Sequence, residues 1–128
     1  MGSSGGLTGV ADVGRVVIDG VLYSVKTARV RATASGNTQL IAAVTGSTIR
    51  IIAYAIGPAS AAVVVTIQDA AGTPVVMAGP WDIAANGGIV NAVYKESDQE
   101  GTVSTAVNVN LSLAANVTVA VSYIEVVA

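Results

Sequence analysis

Apolar and polar residues alternate along much of this chain with a period of two, and this pattern constrains the fold most. From Val25 to Ala34, alanine and valine fill most of one set of alternate positions, while threonine and arginine fill most of the other. Alternate side chains of a β-strand point to opposite faces, so the segment predicts a half-buried strand. No segment carries an apolar stripe at i, i+3 and i+4 with helix caps. The sequence therefore predicts an all-β protein.

Short turns separate the β-rich segments at intervals of about 8 to 12 residues. Asn86-Gly87 is the strongest turn signal, and Gly57-Pro58 also interrupts a β-rich region. About eight antiparallel strands at this spacing predict a β-sandwich, most economically a jelly roll, with an immunoglobulin-like sandwich as the alternative. The predicted strands are Val25–Ala34, Thr38–Val44, Thr48–Ile56, Ala61–Asp69, Pro74–Ala78, Ile89–Tyr94, Val103–Leu113 and Val117–Val126.

The amino-terminal segment differs from the rest of the chain. Residues 1–20 are rich in glycine, and Asp12, Arg15 and Asp19 are scattered among them. A segment of this composition cannot bury enough surface by itself, so we expect a flexible, extended arm that is disordered or ordered only against a neighbouring subunit. With 128 residues in total, the chain is predicted to comprise this arm and one sandwich domain over residues 21–128.

Cysteine and histidine are both absent. Their absence removes disulfides, thiol nucleophiles, thiolate metal sites and the usual general base near neutral pH. Three carboxylates, Glu96, Asp98 and Glu100, lie at alternate positions in one hydrophilic loop, and oxygen ligands of this kind could hold Ca²⁺. Their spacing is not that of a complete calcium loop, so a solvated loop is the preferred interpretation. The sequence predicts a non-enzymatic protein with no cofactor and no metal.

The composition is unusually apolar for a protein with a solvated surface. Hydrophobic residues make up 52% of the chain and charged residues only 11%, and the mean hydropathy is +0.68. Other chains are therefore expected to cover several faces, as in an obligate oligomer or a shell; the alternative is a monomer with a Ser/Thr/Ala/Gly surface. A net charge of −2 argues against nucleic-acid binding, and no apolar run approaches the roughly 18 residues of a membrane helix.

The charged residues are the candidates for contact with a partner. Arg29 and Arg31 share one face of a predicted strand, where they could pair with carboxylates of a neighbour or simply be solvated. Arg50 interrupts an apolar strand and would need a partner if buried. The candidate partner contacts are Asp12, Arg15, Asp19, Arg29, Arg31, Glu96, Asp98 and Glu100.

Several short segments together resemble a family of virion proteins. These are Ala32–Val44, Ile49-Arg50-Ile51, Ala84–Gly88, Val107–Ser112 and Ala120–Val126. Across about residues 25–127 the chain resembles small jelly-roll virion proteins of tailed bacteriophages.

The resemblance implies a β-sandwich that associates around a three-fold axis on the outside of a particle. It favours a capsid decoration (cement) protein that binds the major capsid protein on the outer capsid surface of the virion as a trimer and stabilises the shell. The alternatives are a tail-fibre or receptor-binding head domain and a carbohydrate-binding module. In the decoration interpretation the arm over residues 1–20 reaches a neighbour on the capsid, so its deletion is expected to weaken particle binding more than folding.

Overall fold

A computed structural model of the chain describes residues 15–18, 20–92 and 100–127. Every regular element among these residues is a β-strand, and none of them forms a helix long and apolar enough to cross a membrane. The ten strands are β1 (Arg15–Ile18), β2 (Val21–Ser24), β3 (Lys26–Ala32), β4 (Gly36–Ile41), β5 (Ser47–Ile56), β6 (Val63–Asp69), β7 (Val76–Ile83), β8 (Ile89–Ala92), β9 (Val107–Leu111) and β10 (Val117–Val127).

Eight of these strands form two four-stranded antiparallel sheets that share one core. The first sheet has the order β3-β10-β5-β8, and the second sheet has the order β4-β9-β6-β7. The first and last strands of the sandwich, β3 and β10, are therefore neighbours, and successive strands lie in different sheets except for β6 and β7, which pair within the second sheet. This is the strand order of a jelly roll, so the predicted fold class is confirmed.

Isoleucine and valine build most of the core, because the chain has no phenylalanine. On β9, Val107, Val109 and Leu111 are buried while the residues between them are partly exposed. On β10, Val117 and Val119 are buried with the same alternation. Each such side chain contributes about 1.5–3 kcal/mol through burial. The period-two pattern of the sequence thus places one face of each strand in the shared core.

The strand β7 extends beyond its predicted end. The prediction ended at Ala78, whereas the strand continues through Gly79-Pro80 to Ile83. Because β7 is an edge strand, the missing N–H of Pro80 need not interrupt a ladder between two neighbours. Gly79 has φ of 87°, and the pairing with β6 shifts register close by.

The strand β9 is shorter than its predicted range of 103–113. It begins only at Val107, although the alternation in the sequence starts four residues earlier. Ser104 has a positive φ of 55°, and its N–H donates to the carbonyl of Ser47 at 2.8 Å. The segment before Val107 is therefore a loop attached to β5, and apolar alternation alone could not distinguish it from a strand.

Part of the predicted arm forms a hairpin with its own chain. The strands β1 and β2 pair in antiparallel register, with Val17 opposite Leu22. Tyr23 packs on a small apolar cluster outside the first sheet, formed by Ile52 and Ile124, which are 2% and 0% exposed. Residues 15–18 are thus ordered against residues 21–24 rather than only against a neighbouring subunit; residues 1–14 and 19, with Asp12 and Asp19, lie outside the described residues.

Tyr23→Ala is expected to loosen this hairpin while leaving the sandwich folded. The substitution uncovers Ile52 and Ile124 and should lower the free energy of unfolding by about 1 to 2 kcal/mol. Hydrogen exchange should become faster at the amides of β2 and stay unchanged in β9. Ser24→Ala, at an exposed position of the same strand, is the matched control; unchanged exchange in the Tyr23 variant would contradict this packing.

Candidate interaction surface

The outer face of the first sheet contains an open apolar groove. Its floor consists of small side chains, Ala53 and Ala55 on β5 and Ala120 and Ser122 on β10. These residues occupy the strand positions between the core residues, and Ala120 lies opposite Ala55. Because none of these side chains is long, the sheet surface is recessed here, and the groove has a volume of about 800 Å³.

The groove lies between a basic edge strand and an apolar one. Arg29 on β3 pairs with Ala120, and Val90 on β8 pairs with Ala55. One row across the four strands therefore runs from an exposed arginine, over two alanines, to a valine that is 83% exposed. We name this surface, lined by Arg29, Ala53, Ala55, Val90, Ala120 and Ser122, the alanine groove.

Two of the three arginines predicted to contact a partner lie on β3, at the edge of the first sheet. Arg29 and Arg31 are both exposed, and neither makes an ion pair with a residue that the structure describes. Arg31 lines a second, more polar depression of about 310 Å³, together with Asn86 and Asn116. The neighbouring Lys26 does have a partner within the chain, since its Nζ lies 3.1 Å from Oε2 of Glu125. Arg29 and Arg31 thus remain available to a partner.

Other candidate contacts are distributed over the fold. Arg15 is exposed at the start of β1. Glu100 is half-buried, and its carboxylate accepts a hydrogen bond from the hydroxyl of Thr48. The backbone of Glu100 forms an isolated bridge with Arg50, which is itself buried. Glu100 is therefore held by its own chain, and the structure brings it together with neither Arg29 nor Arg31.

Glu96 and Asp98 lie outside the described residues. Within residues 15–18, 20–92 and 100–127, no group of three or more His, Cys, Asp or Glu side chains could hold a metal ion.

The outer face of the second sheet is polar, a feature that the sequence analysis missed. The side-chain carbonyl of Asn37 accepts hydrogen bonds from Asn110 at 2.9 Å and from Gln68 at 3.3 Å. These amides extend across three neighbouring strands, with Gln39 and Asn108 paired beside them. The sequence signal that could have indicated this polar face is the presence of amide residues at alternate positions of β4 and β9. We name this cluster, formed by Asn37, Gln39, Gln68, Asn108 and Asn110, the amide ladder.

Asp69 is a buried carboxylate at the end of β6, with 1% exposure. Its oxygens accept hydrogen bonds from the backbone N–H groups of Val75 at 2.8 Å, Ala71 at 3.2 Å and Thr102 at 2.9 Å. The hydroxyl of Thr102 adds a fourth bond. Burial alone would raise the pKa of Asp69, but the Thr102 hydroxyl and the backbone donors outweigh it and hold the pKa below its ordinary value. Asp69 therefore connects the loop that contains Ala71 and Val75 to the loop that contains Thr102. Both of its carboxylate oxygens already accept hydrogen bonds.

The two sheets thus present chemically different outer faces, an apolar groove with a basic edge on one and a cluster of amides on the other. Comparison with protein-family models, curated protein sequences and solved structures finds no match for this chain. The chemistry of these two faces is accordingly the basis for proposing a function.

Proposed function

We propose that this chain is a non-enzymatic phage structural protein, a decoration (cement) protein that binds the outside of the head shell as a trimer and stabilises it. The observation that carries the proposal is the alanine groove, an open apolar surface on a chain with only 11% charged residues. Apolar surface of this kind is suited to being covered by other protein chains. The resemblance to phage jelly-roll proteins suggests the particle on which this happens.

Stabilisation of the shell would follow from selective binding. A protein that binds the assembled shell, but not its separated subunits, shifts the equilibrium toward the shell by mass action. The jelly roll suits this task because its core is complete within one chain, with residues such as Val65, Ile67 and Val109 fully buried. Its outer faces are then free to make contacts without a change of fold.

The proposal can be tested with head shells of the phage whose genome encodes the chain, assembled after deletion of its gene. Purified chain added to these shells is expected to bind at saturable sites on the outer surface, visible by electron cryomicroscopy, and to raise the temperature at which the shells open. Binding that does not saturate, or that leaves this temperature unchanged, would overturn the proposal.

Removal of residues 1–14 is expected to weaken shell binding by about ten-fold or more. The deletion ends before β1, so every described strand is kept and the thermal stability of the isolated protein should not change. Cosedimentation with the same shells measures the affinity, and the full chain is the control. A truncated protein that keeps full affinity would contradict a role for this segment in reaching the shell.

Carbohydrate binding is the second candidate function, and the amide ladder favours it. Asparagine and glutamine side chains can donate to and accept from sugar hydroxyl groups, and Asn37 and Asn110 lie together on an exposed sheet face. A glycan array tests this directly, with Asn37→Ala/Asn110→Ala as the variant and Thr27→Ala, on the opposite sheet, as the control. Glycan binding that is lost only in the double variant would favour this function.

A further inference from the structure

The outer face of the first sheet is covered at one end and open at the other. Along β10, the outward residues Ile124 and Val126 belong to the cluster that packs against Tyr23 of the hairpin. The outward residues Ala120 and Ser122 of the same strand line the open alanine groove. The chain therefore covers half of this face itself, and the other half has no cover from the described residues.

The hairpin has an uncovered apolar surface of its own. Val17 and Leu22 are opposite each other in the register of β1 and β2, so their side chains share one face of the ribbon. Tyr23 is adjacent to Leu22 in a strand and therefore points to the other face, toward the sandwich. Val17 is 63% exposed and Leu22 is 56% exposed. A two-stranded ribbon with one face in solvent is marginally stable by itself.

We infer that the Val17–Leu22 face of the hairpin docks into the alanine groove of a second copy of this chain. Larger aliphatic side chains protrude on the hairpin, while the groove has a floor of small ones, so the two surfaces are complementary in shape and polarity. Arg15, opposite Ser24, shares this hairpin face and Arg29 lies at the groove edge, so the contact is expected to rest on apolar burial and to persist at high salt. Within one copy, Tyr23 holds the hairpin on the cluster of Ile52 and Ile124.

The inferred contact joins two different patches, so it is heterologous. Heterologous contacts form a closed ring when the rotation between copies closes, and three copies then make a trimer in which each copy both gives a hairpin and receives one. The inference rests on the proposed function, because it describes the contact by which the proposed trimer would form. It is tested in solution without shells, so its failure and a failure of shell binding can be told apart.

Two variants separate the two halves of the contact. Ala120→Lys places a long charged side chain on the groove floor, and Leu22→Lys places one on the exposed face of the hairpin. Ala42→Lys introduces the same charge at an exposed position just after β4, outside the alanine groove and the amide ladder, and is the matched control. Light scattering at micromolar concentration is expected to give the mass of three chains for the wild type and for the control, and of one chain for each of the other variants. Circular dichroism and thermal unfolding verify that each variant is folded.

Mixing the two variants gives the decisive result. The Ala120→Lys chain keeps its hairpin and the Leu22→Lys chain keeps its groove, so an equimolar mixture is expected to form a complex of two chains that cannot close into a ring. A mixture that stays monomeric, a wild type that is monomeric, or a Leu22 variant that keeps the wild-type mass would each overturn the inference.

Because the chain has no cysteine, a crosslink provides an independent test. Leu22→Cys in one copy and Ala120→Cys in another are expected to be joined by a short bismaleimide reagent in the mixture, with little crosslinking in either variant alone. Equal yields with Ala42→Cys, at an exposed position, in place of Ala120→Cys would overturn the inference.

Discussion

Asp69→Ala is expected to lower the free energy of unfolding by about 2 to 4 kcal/mol. The substitution removes the acceptor of the backbone N–H groups of Val75, Ala71 and Thr102, and these donors are then left without their partner beside a buried position. The loop with Ala71 and Val75 and the loop with Thr102 then lose the side chain that connects them. Denaturant unfolding followed by circular dichroism measures the change.

Asp82→Ala is the matched control for this prediction. Asp82 lies on the edge strand β7 and is exposed, so its replacement should change the free energy of unfolding by no more than about 0.5 kcal/mol. Equal effects of the two substitutions would show that the hydrogen bonds of Asp69 contribute nothing beyond the loss of a surface charge.

The stability contributed by Asp69 should also depend on pH. Its pKa is lower in the folded protein than its ordinary value, so the unfolded state takes up a proton first as the pH falls. The stabilisation is fully present above the unfolded pKa of about 4 and is lost as the pH falls through the folded value. The difference in unfolding free energy between the wild type and Asp69→Asn should therefore shrink in acid. A difference that stays constant down to the acid transition would contradict this titration.

The sequence predicted the sandwich because its strands are amphipathic with a period of two. The prediction succeeded for β3 and β5, where alternation or a continuous apolar run lies between clear turns. It did not show which polar side chains hold the loops between the strands. Asp69 appeared only as the last residue of a strand, and nothing in its local pattern indicated that it would bind Thr102, which is 33 residues away.

The candidate interaction surfaces could be predicted only in part. Arg29 and Arg31 were placed correctly on one exposed strand face, because their positions follow from alternation within a single strand. The alanine groove depends on the register of β3, β10, β5 and β8, which are distant in sequence. Ala55 and Ala120 are unremarkable in their own strands, and only their pairing makes a recessed floor. Surfaces assembled across strands are thus not encoded in any single segment.

Gly88→Ala is expected to lower the free energy of unfolding by about 3 kcal/mol. A β-carbon at Gly88 would overlap the carbonyl oxygen of Ile56 and lie 3.3 Å from Cα of Gly57, which are backbone atoms that no side-chain rotation can move away. The strain would fall where β8 joins the first sheet, since Ile89 pairs with Ile56. The thermal midpoint is therefore expected to fall by roughly 10 °C.

Gly72→Ala is the control that separates this clash from the general effect of replacing glycine. A β-carbon at Gly72 meets no atom within 4 Å, so alanine there should not lower the free energy of unfolding. It could raise this free energy by up to about 1 kcal/mol, because alanine reduces the conformational entropy of the unfolded chain. The contrast between the two variants measures the close approach of Gly88 to β5, which holds Val90 beside Ala55 at the edge of the alanine groove. If the Gly88 variant is as stable as the Gly72 variant, β8 can move away from β5 without a loss of free energy. The edge of the groove formed by Val90 would then be able to change its position.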